Sequence, residues 1–323
     1  MWSHGEASDP QGGFTHSALV YGADDEFMDV ALPFVERGLA EGEPTLVAVQ
    51  AANFDNLRSA LGGEPDGVTL LSVEEWYETS ARTRDKFERW AREHAAPRRV
   101  RLIGEPPWTL GNDAAVRDWA RHESVINVAF EDLPVSFLCP YDARELPREI
   151  VEHAHHTHPE IIGPWGPDES EDYEDPHEFC SRLDTRVERP EGEPSTVLIF
   201  NLADLHLVRR IAASSAMAAG LSGARADEIA LAVNEIASNA VVHGSPPATL
   251  QIWLGDGELI CEVSDAGDGI KDELAGQLTP PAEGIGGRGI WLTRMLCDAV
   301  EIRNGVGCTV TMHAAAPEFA LAS

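Results

Sequence analysis

The sequence predicts a two-domain α/β protein, with a mostly parallel αβα sandwich in its first half and an α+β fold in its second half. The chain of 323 residues is long for one domain, and its length is typical of two. In the first half, short apolar runs alternate with longer amphipathic stretches, a pattern typical of parallel strands with helices on both faces of the sheet. In the second half, strands follow one another through short turns, which indicates antiparallel pairing beside helices.

Five short runs rich in β-branched residues are predicted as the strands of the first domain, which we place at residues 14–162. They are SALVY (17–21), TLVAV (45–49), GVTLLS (67–72), RVRLIGE (99–105) and VSFLCPY (135–141). The stretches between them have the apolar spacing of helices. Pro33 falls inside the first helical pattern, so we expect a kink or a late helix start there.

Residues 163–194 differ in composition from the sequence on either side. This segment is acidic and rich in proline and glycine. Its low hydrophobicity leaves little apolar surface to bury against the entropy lost on ordering. We therefore predict a linker here.

Composition and charge exclude several classes of partner. The 24 Lys+Arg and 55 Asp+Glu residues give a formal charge of −31, which repels nucleic acid and anionic membrane surfaces. The N-terminus lacks the features of a signal peptide and no stretch has the ~18 apolar residues of a membrane span, so a cytoplasmic protein without membrane contact is expected. The cysteines form no CxxC pair and are expected to be buried, reduced thiols. They are Cys139, Cys180, Cys261, Cys297 and Cys308.

The second domain, placed at residues 195–316, combines helices with hairpins. STVLIF (195–200) reads as a strand and is followed by helices at 205–220 and 224–244, each closed by a glycine. Two strands joined by a Gly-Asp-Gly turn come next, since an Asp-Gly step favours a hairpin. A helix beginning in GRGIWLTRMLC and a closing hairpin complete the domain.

A polar stripe marks the helix that ends in NEIASNAVVHGS. Glu235, Asn239 and His243 are four residues apart and share one helix face. The stripe alone could be a polar network that caps the helix. Three further patches follow it in order, which favours a binding site instead. They are SDAGDG (264–269), EGIGGRGI (283–290) and GCTVTM (307–312).

The chemistry of these patches suits a nucleotide. Asp265 ends a strand, where its carboxylate can accept a hydrogen bond from an exocyclic amine such as that of adenine. Gly267 and Gly269 remove side chains where the backbone must approach a flat ring. The GIGGRG run places backbone N–H groups before a helix N-terminus, which suits a polyphosphate, and Arg288 adds a fixed positive charge.

Two residues of the stripe suit the phosphate end of the nucleotide. The amide oxygen of Asn239 can bind Mg²⁺, which takes few protein ligands. One turn earlier, Glu235 can orient or deprotonate an attacking hydroxyl group.

The order NEIASNAVVHG, DAGDG, GIGGRGIWL and the strand bearing Thr309 resembles the GHKL superfamily of ATPases and kinases, with its Bergerat ATP-binding fold. Over residues 195–315, the chain is similar to the RsbW-type anti-sigma factor serine/threonine kinases. The resemblance implies a base-like carboxylate at Glu235, a Mg²⁺ ligand at Asn239 and an adenine partner at Asp265. His243 matches the family's frequent histidine on this helix. Further residues implied to contact ATP are Gly267 and Gly269 beneath the base, Gly284, Gly286 and Gly289 in the lid, and Thr309 near adenine.

The resemblance implies an ATP- and Mg²⁺-dependent kinase that holds a sigma factor inactive and phosphorylates a STAS-type anti-sigma antagonist. The short lid with its GGRG sequence leaves a second interpretation open, in which the protein is a non-catalytic, ATP-gated module that binds a partner. A sensor histidine kinase is disfavoured, because the acidic linker cannot supply a dimerisation helix pair with a phosphoacceptor histidine. The resemblance also allows a homodimer.

The first half resembles the MEDS sensory domain of RsbA-type regulators through HSALVY, RLIGEPPW, FLCPYD and HHTHPEII. Ligands of parallel sheets gather at the carboxyl ends of strands, so candidates for a small-molecule signal pocket are His16, Glu105, Trp108 and Tyr141. Equally open is that both aromatic residues are core or rim residues and that Glu105 is a solvated loop carboxylate. No P-loop motif occurs.

A histidine run, EHAHHTHPE, spans residues 152–160. The spacing of His153, His155, His156 and His158 fits neither a helix face nor a zinc finger, and no cysteine stands close by. A solvated or interdomain segment is therefore favoured over a metal site. A metal-dependent enzyme in the first domain is the third alternative, and it predicts bound Zn²⁺ in the purified protein.

Overall fold

A computed structural model describes residues 13–95, 98–108, 112–163, 166–184, 192–255, 257–281 and 287–316. The described residues form two compact units. The first lies within Met1–Glu78, Thr83–Pro107 and Glu123–Pro176, and the second lies within Thr79–Arg82, Trp108–His122 and His177–Ser323.

A seven-stranded sheet organises the first unit. Its strands are β1 (Thr15–Tyr21), β2 (Thr45–Val49), β3 (Val68–Ser72), β4 (Val100–Gly104), β5 (Val135–Asp142), β6 (Glu160–Gly163) and β7 (Gly166–Glu169). They lie in the order β3-β2-β4-β5-β1-β6-β7, and all neighbours are parallel except β6 and β7. The five strands predicted in this half are confirmed within two residues at each end.

The first six helices lie between successive strands of this sheet along the chain. They are α1 (Asp24–Glu41), α2 (Ala51–Ala60), α3 (Val73–Trp76), α4 (Ser80–His94), α5 (Asp113–Ala129) and α6 (Arg148–Thr157). The expected late start at Pro33 is not observed, because α1 begins at Asp24 and continues through the proline. Phe27, Ala31 and Val35 are buried along one face of α1, so packing holds this helix despite the lost backbone donor.

The segment predicted as a linker contains regular structure. Strand β7 and helix α7 (Pro176–Asp184) lie within residues 163–194. Phe179 and Leu183, four residues apart on α7, are buried against Ala120. The acidic composition concealed this because charged residues dominate the segment as a whole, so an average over it misses the short apolar face of α7.

A five-stranded antiparallel sheet organises the second unit. Its strands are β8 (Thr196–Phe200), β9 (Ala248–Leu254), β10 (Glu258–Asp265), β11 (Ala299–Gly305) and β12 (Gly307–Ala315), in the order β11-β12-β10-β9-β8. A short 3₁₀ turn precedes the helices α8 (Leu205–Ala218), α9 (Gly223–Val242) and α10 (Arg288–Leu296). The predicted α/β and α+β fold classes are confirmed. Among the described residues, no helix is long and apolar enough to cross a membrane.

The core of the second unit lies between its sheet and α8 and α9. Alanines fill much of the helix side of this core, including Ala212, Ala216, Ala230 and Ala237. Small side chains let helices pack closely on the sheet. This packing fixes the rotation of α9, and therefore the direction in which its polar stripe points.

The sheet also holds a buried histidine between two carboxylates. On β12, Nδ1 of His313 lies 3.6 Å from Oε1 of Glu258, and its Nε2 lies 3.4 Å from Oε2 of Glu301. Burial disfavours the imidazolium, but the two carboxylates can accept hydrogen bonds from its ring N–H groups and attract its charge, which outweighs burial and raises the pKa of His313 to about 9.

The raised pKa of His313 predicts a pH-dependent loss of stability in alkali. Because the folded-state pKa lies above the unfolded value of about 6.5, the stabilisation is complete below about pH 6.5 and is lost as the pH rises through 9. The shift corresponds to roughly 3 kcal/mol of unfolding free energy. We expect urea denaturation of the full chain to give a lower free energy of unfolding for His313→Gln than for wild type. This difference should be largest at pH 6 and should vanish by pH 10.

The exposed His206 of α8 supplies the control for this measurement. His206→Gln should follow wild type at every pH. A constant gap between wild type and His313→Gln from pH 6 to pH 10 would contradict the proposed charge on His313.

Candidate functional site

The polar stripe of α9 faces a cavity of about 240 Å³ in the second unit. Asn239 and His243 line this cavity together with Asp265, whereas Glu235 of the same stripe does not. The helix begins at a Ser222 cap, whose side chain accepts a hydrogen bond from the Arg225 N–H at 3.3 Å. Apolar residues on the opposite face of α9 are buried, so packing presents the stripe to the cavity.

Asp265 stands at the last position of β10, opposite Cys308 of β12. Its Oδ1 accepts a hydrogen bond from the Gly267 N–H at 2.7 Å. This bond orients the carboxyl group, and Oδ2 has no hydrogen bond from the described residues. The carboxylate can therefore accept one more hydrogen bond from a donor in the cavity.

Two glycines allow the backbone to pack around Asp265. A Cβ on Gly267 would lie 2.8 Å from both Asp265 Oδ1 and the Cα of Gly244. A Cβ on Gly244 would overlap the Asp265 carboxyl group itself. Gly244 had been predicted only as the residue that closes the helix, and its contact with Asp265 gives it a second role that no local motif indicates.

Gly269 adopts a left-handed conformation, with φ of 79°. A Cβ there would lie 2.5 Å from the Asn304 side chain. Asn304 accepts a hydrogen bond from the Ile270 N–H at 3.0 Å and donates to the Ile270 carbonyl at 2.7 Å. Asn304, which no local motif indicates, fixes the loop after the DAGDG motif to β11.

The N-terminus of α10 forms another side of the cavity, through Gly287 and Gly289. A Cβ on Gly289 would lie 3.2 Å from both Asn239 Nδ2 and Glu235 Oε2. The first turn of α10 therefore runs against the stripe, and its backbone N–H groups and helix dipole favour an anion. Arg288 donates from Nη2 to the Pro281 carbonyl at 3.1 Å, and Gly284 and Gly286 fall outside the described residues.

Thr309, predicted to lie near adenine, is not among the residues that line the cavity. Its neighbours Cys308 and Val310 line the cavity instead. Successive side chains of a strand point to opposite faces, so the cavity receives residues 308 and 310. Burial, and after it the charge of Asp265, raises the pKa of Cys308 to about 11. Its thiol therefore stays neutral and forms part of the cavity wall.

These features fit a nucleotide. The cavity has apolar walls, including Ile236, Val263 and Ile270, beside one oriented carboxylate, as a purine base requires. Its other end combines an amide side chain with a helix N-terminus, which suits a phosphate chain and its Mg²⁺. The glycines leave open the space that side chains would fill.

The sensory-pocket candidates of the first unit fall into separate places. Glu105 follows β4 and is 5% exposed, so it is not the solvated carboxylate of the alternative interpretation. It accepts hydrogen bonds from Tyr21 Oη at 3.0 Å and from the Gln50 N–H at 2.8 Å, and Asn53 also donates to it. Burial raises the pKa of Glu105 despite these bonds.

His16 and Tyr141 lie around His158 rather than beside Glu105. The ring centroids of His16 and His158 are 4.0 Å apart, and the Tyr141 ring meets His158 edge-on at 5.6 Å. Tyr141 is fully buried, which agrees with the core-aromatic alternative. Trp108 belongs to the second compact unit.

The structure contradicts the prediction that the histidine run is a solvated segment. Residues up to Thr157 form the regular helix α6, and His153 and His158 are buried. The run was expected to be solvated because its composition is polar. A buried imidazole can nevertheless satisfy both ring nitrogens within a core, which composition does not register.

Comparison with known proteins finds one similar family in each half of the chain. Residues 15–159 match the family described as MEDS, the methanogen/methylotroph DcmR sensory domain, and residues 199–314 match the histidine kinase-like ATPase domain. No curated protein matches the chain. Among solved structures, the crystal structure of the RsbU and RsbW domains of Rv1364c from Mycobacterium tuberculosis is similar at 18% identity and a TM-score of 0.29, over 42% of this chain and 41% of that one. The chain therefore resembles the MEDS family over residues 15–159 and the histidine kinase-like ATPase domain over residues 199–314.

Proposed function

We propose that this chain is an ATP- and Mg²⁺-dependent serine/threonine kinase of the RsbW type. In this proposal it phosphorylates a STAS-type anti-sigma antagonist, sequesters a sigma factor and is controlled by its MEDS domain. The observation that carries the proposal is the cavity lined by Asn239, His243, Asp265 and the N-terminus of α10. Its position within a histidine kinase-like ATPase domain supports ATP as the ligand.

Each residue of the cavity has a distinct part in this proposal. Asp265 accepts a hydrogen bond from the adenine amine, and Gly244 and Gly267 let the backbone pack against its carboxyl group. Asn239 offers an amide oxygen to Mg²⁺, and the first turn of α10 offers backbone N–H groups to phosphate. ATP, when bound, supplies the phosphoryl group and the energy of its transfer.

Glu235 is the carboxylate placed to accept the proton of a substrate hydroxyl group. It lies one turn before Asn239 on α9, beside Gly289. A general base must lie near the phosphate end of the site, and the proximity of the α10 N-terminus supports that position. His243 lines the cavity and is exposed, and we give it a binding role only.

One observation favours a second function, that of a non-catalytic regulator whose partner binding is gated by ATP. Glu235 is not among the residues that line the cavity. A nucleotide bound there could order α10 and the lid without any proton transfer to Glu235. Both functions need ATP, and they differ in whether phosphate reaches a partner.

Phosphoryl transfer separates these two functions. The full chain is incubated with γ-³²P-labelled ATP, Mg²⁺ and purified STAS-type proteins from the same genome. We expect acid-stable label on serine or threonine of one STAS protein, and Asn239→Ala should abolish it by removing the Mg²⁺ ligand. Asn234→Ala, on the same helix, is the matched control and should retain transfer.

A different result would overturn the kinase. If ATP binds and changes the affinity for a STAS protein or a sigma factor while no label is transferred, the chain is an ATP-gated regulator. If neither ATP binding nor label is detected with the wild-type chain, both functions are wrong.

A further inference from the structure

Four potential metal ligands meet in the core of the first unit. They are His16 on β1, Glu123 on α5, Cys139 on β5 and His158 directly after α6. All four residues are 3% exposed or less. One ligand atom from each lies within 4.8 Å of every other. The proposed kinase function makes no use of this cluster.

Hydrogen bonds fix the orientation of the His16 ring. Asn127 donates from Nδ2 to the carbonyls of Ser124 at 3.0 Å and Thr157 at 2.8 Å, so its Oδ1 must face the ring. That oxygen lies 3.1 Å from Nδ1 of His16. Nδ1 therefore carries the proton as a donor, and Nε2 presents a lone pair.

His158 is held in the same tautomer. Its Nδ1 lies 3.0 Å from the Ala154 carbonyl, which can only accept a hydrogen bond. Thr157 Oγ1, also 3.0 Å from Nδ1, donates its own proton to the His153 carbonyl and so faces the ring as an acceptor. The lone pair of His158 Nε2 consequently points toward the centre of the cluster.

The arrangement places acceptors against one another. Glu123 Oε2 lies 3.5 Å from His16 Nε2 and 3.4 Å from His158 Nε2, and Cys139 Sγ lies 3.4 Å from His16 Nε2. Two imidazole lone pairs and a carboxylate converge in this buried space, and a metal cation bound between them would remove their mutual repulsion. Ring N–H groups bonded to carbonyl oxygens are the usual outer contacts of metal-bound histidines.

We propose that His16, Glu123, Cys139 and His158 bind one Zn²⁺ ion. Zinc bonds of about 2.0–2.3 Å in a tetrahedron imply ligand-to-ligand distances of about 3.3–3.6 Å. The three distances between ligand atoms given above, 3.4–3.5 Å, fall in that range. Two nitrogens, one oxygen and one sulfur select zinc over Mg²⁺ or Ca²⁺, which prefer oxygen alone.

Four protein ligands close the coordination sphere, as in structural zinc sites, and leave no position for a substrate. The proposed site is therefore structural, unlike the site of a metal-dependent enzyme. Of the histidine run, only His158 contributes a ligand. The ion joins β1, β5, α5 and the end of α6, which are far apart in sequence. Zinc binding is thereby coupled to the folding of the first unit.

Metal analysis of the purified full chain, with any histidine tag removed, tests the site. We expect about one zinc per chain in wild type by elemental mass spectrometry. Cys139→Ser and His158→Asn should each lower the zinc content at least fivefold. His155→Asn, in the same histidine run, and Cys261→Ser, a buried thiol of the second unit, are matched controls that should retain zinc.

Cobalt gives a second measurement that does not require a variant to fold. After zinc is exchanged for Co²⁺ in the wild-type chain, tetrahedral coordination with a thiolate should give intense visible bands and a sulfur-to-cobalt charge-transfer band in the near ultraviolet. Wild-type protein with neither zinc nor these bands overturns the proposal. Zinc retained at full content in folded Cys139→Ser and His158→Asn would overturn it as well, as would a different metal held in its place.

Discussion

Replacing Asp265 by asparagine is expected to weaken the binding of ATP by about 100-fold. Oδ1 of Asp265 is occupied by the Gly267 N–H at 2.7 Å, which leaves Oδ2 for the adenine amine. Asparagine keeps one oxygen only. If that oxygen faces Gly267, an amide donor meets the adenine amine. If it faces adenine, the donor meets the Gly267 N–H. Either orientation leaves a donor without an acceptor, at a cost of about 1–3 kcal/mol, in addition to the lost charge-assisted bond.

Calorimetric titration with a non-hydrolysable ATP analogue and Mg²⁺ measures this loss. Asp268→Asn is the matched control, because this carboxylate belongs to the same loop and is exposed. It should bind within about threefold of wild type, since a surface charge contributes little. Equal affinities for wild type and Asp265→Asn would show that the adenine amine does not contact Asp265.

A change in the nucleobase of the ligand tests the same contact independently. Inosine triphosphate replaces the exocyclic amine of adenine with a carbonyl oxygen, which repels a carboxylate but can accept from an amide. Wild type should therefore prefer ATP strongly, and Asp265→Asn should lose most of that preference. A preference that survives the substitution would place the purine specificity elsewhere in the cavity.

The sequence predicted those parts of the protein that local patterns encode. The strands of the first unit are short and rich in β-branched residues, and β1 to β5 formed near where these runs occur. The stripe of α9 was predictable because helical periodicity alone places Asn239 and His243 on one face. Helix α7 was missed, because its few buried residues lie in a segment whose average composition is acidic and rich in proline and glycine.

Features that depend on contacts distant in sequence could not be predicted. Strand alternation decides whether Thr309 or Cys308 faces the cavity, and the register needed for that decision comes from the pairing of β10 with β12. Gly244 approaches Asp265 only after α9 packs on the sheet. The proposed zinc ligands span residues 16 to 158, and no motif joins four positions so widely spaced.

The histidine run shows that histidines clustered in sequence need not be ligands of one site. Its density of imidazoles suggested a metal site within the run, and its spacing argued against one. The structure separates these residues, because His153 and His158 are buried whereas His155 and His156 are partly exposed. Only His158 reaches the cluster of His16, where ligands from other elements complete the set.

Replacing Glu235 by glutamine is expected to slow phosphoryl transfer by about 10²–10⁴-fold while the affinity for ATP changes less than about threefold. Glutamine has nearly the same shape, so the close contact with Gly289 and the packing of α10 are preserved. It cannot accept a proton, so it removes the function of a general base and little else. The loss should therefore appear in the rate of transfer and not in nucleotide binding.

Single-turnover transfer to the STAS-type substrate, measured beside calorimetric ATP titration, separates those two quantities. Asp227→Asn is the matched control, because Asp227 is an exposed carboxylate two turns earlier on α9 and should leave both unchanged. Unimpaired transfer by Glu235→Gln would remove Glu235 from the chemistry, and a parallel loss of ATP affinity would assign it to nucleotide binding. Glu235 acts as the base only if transfer falls while binding persists, since glutamine keeps the shape of glutamate but has neither its negative charge nor its capacity to accept a proton.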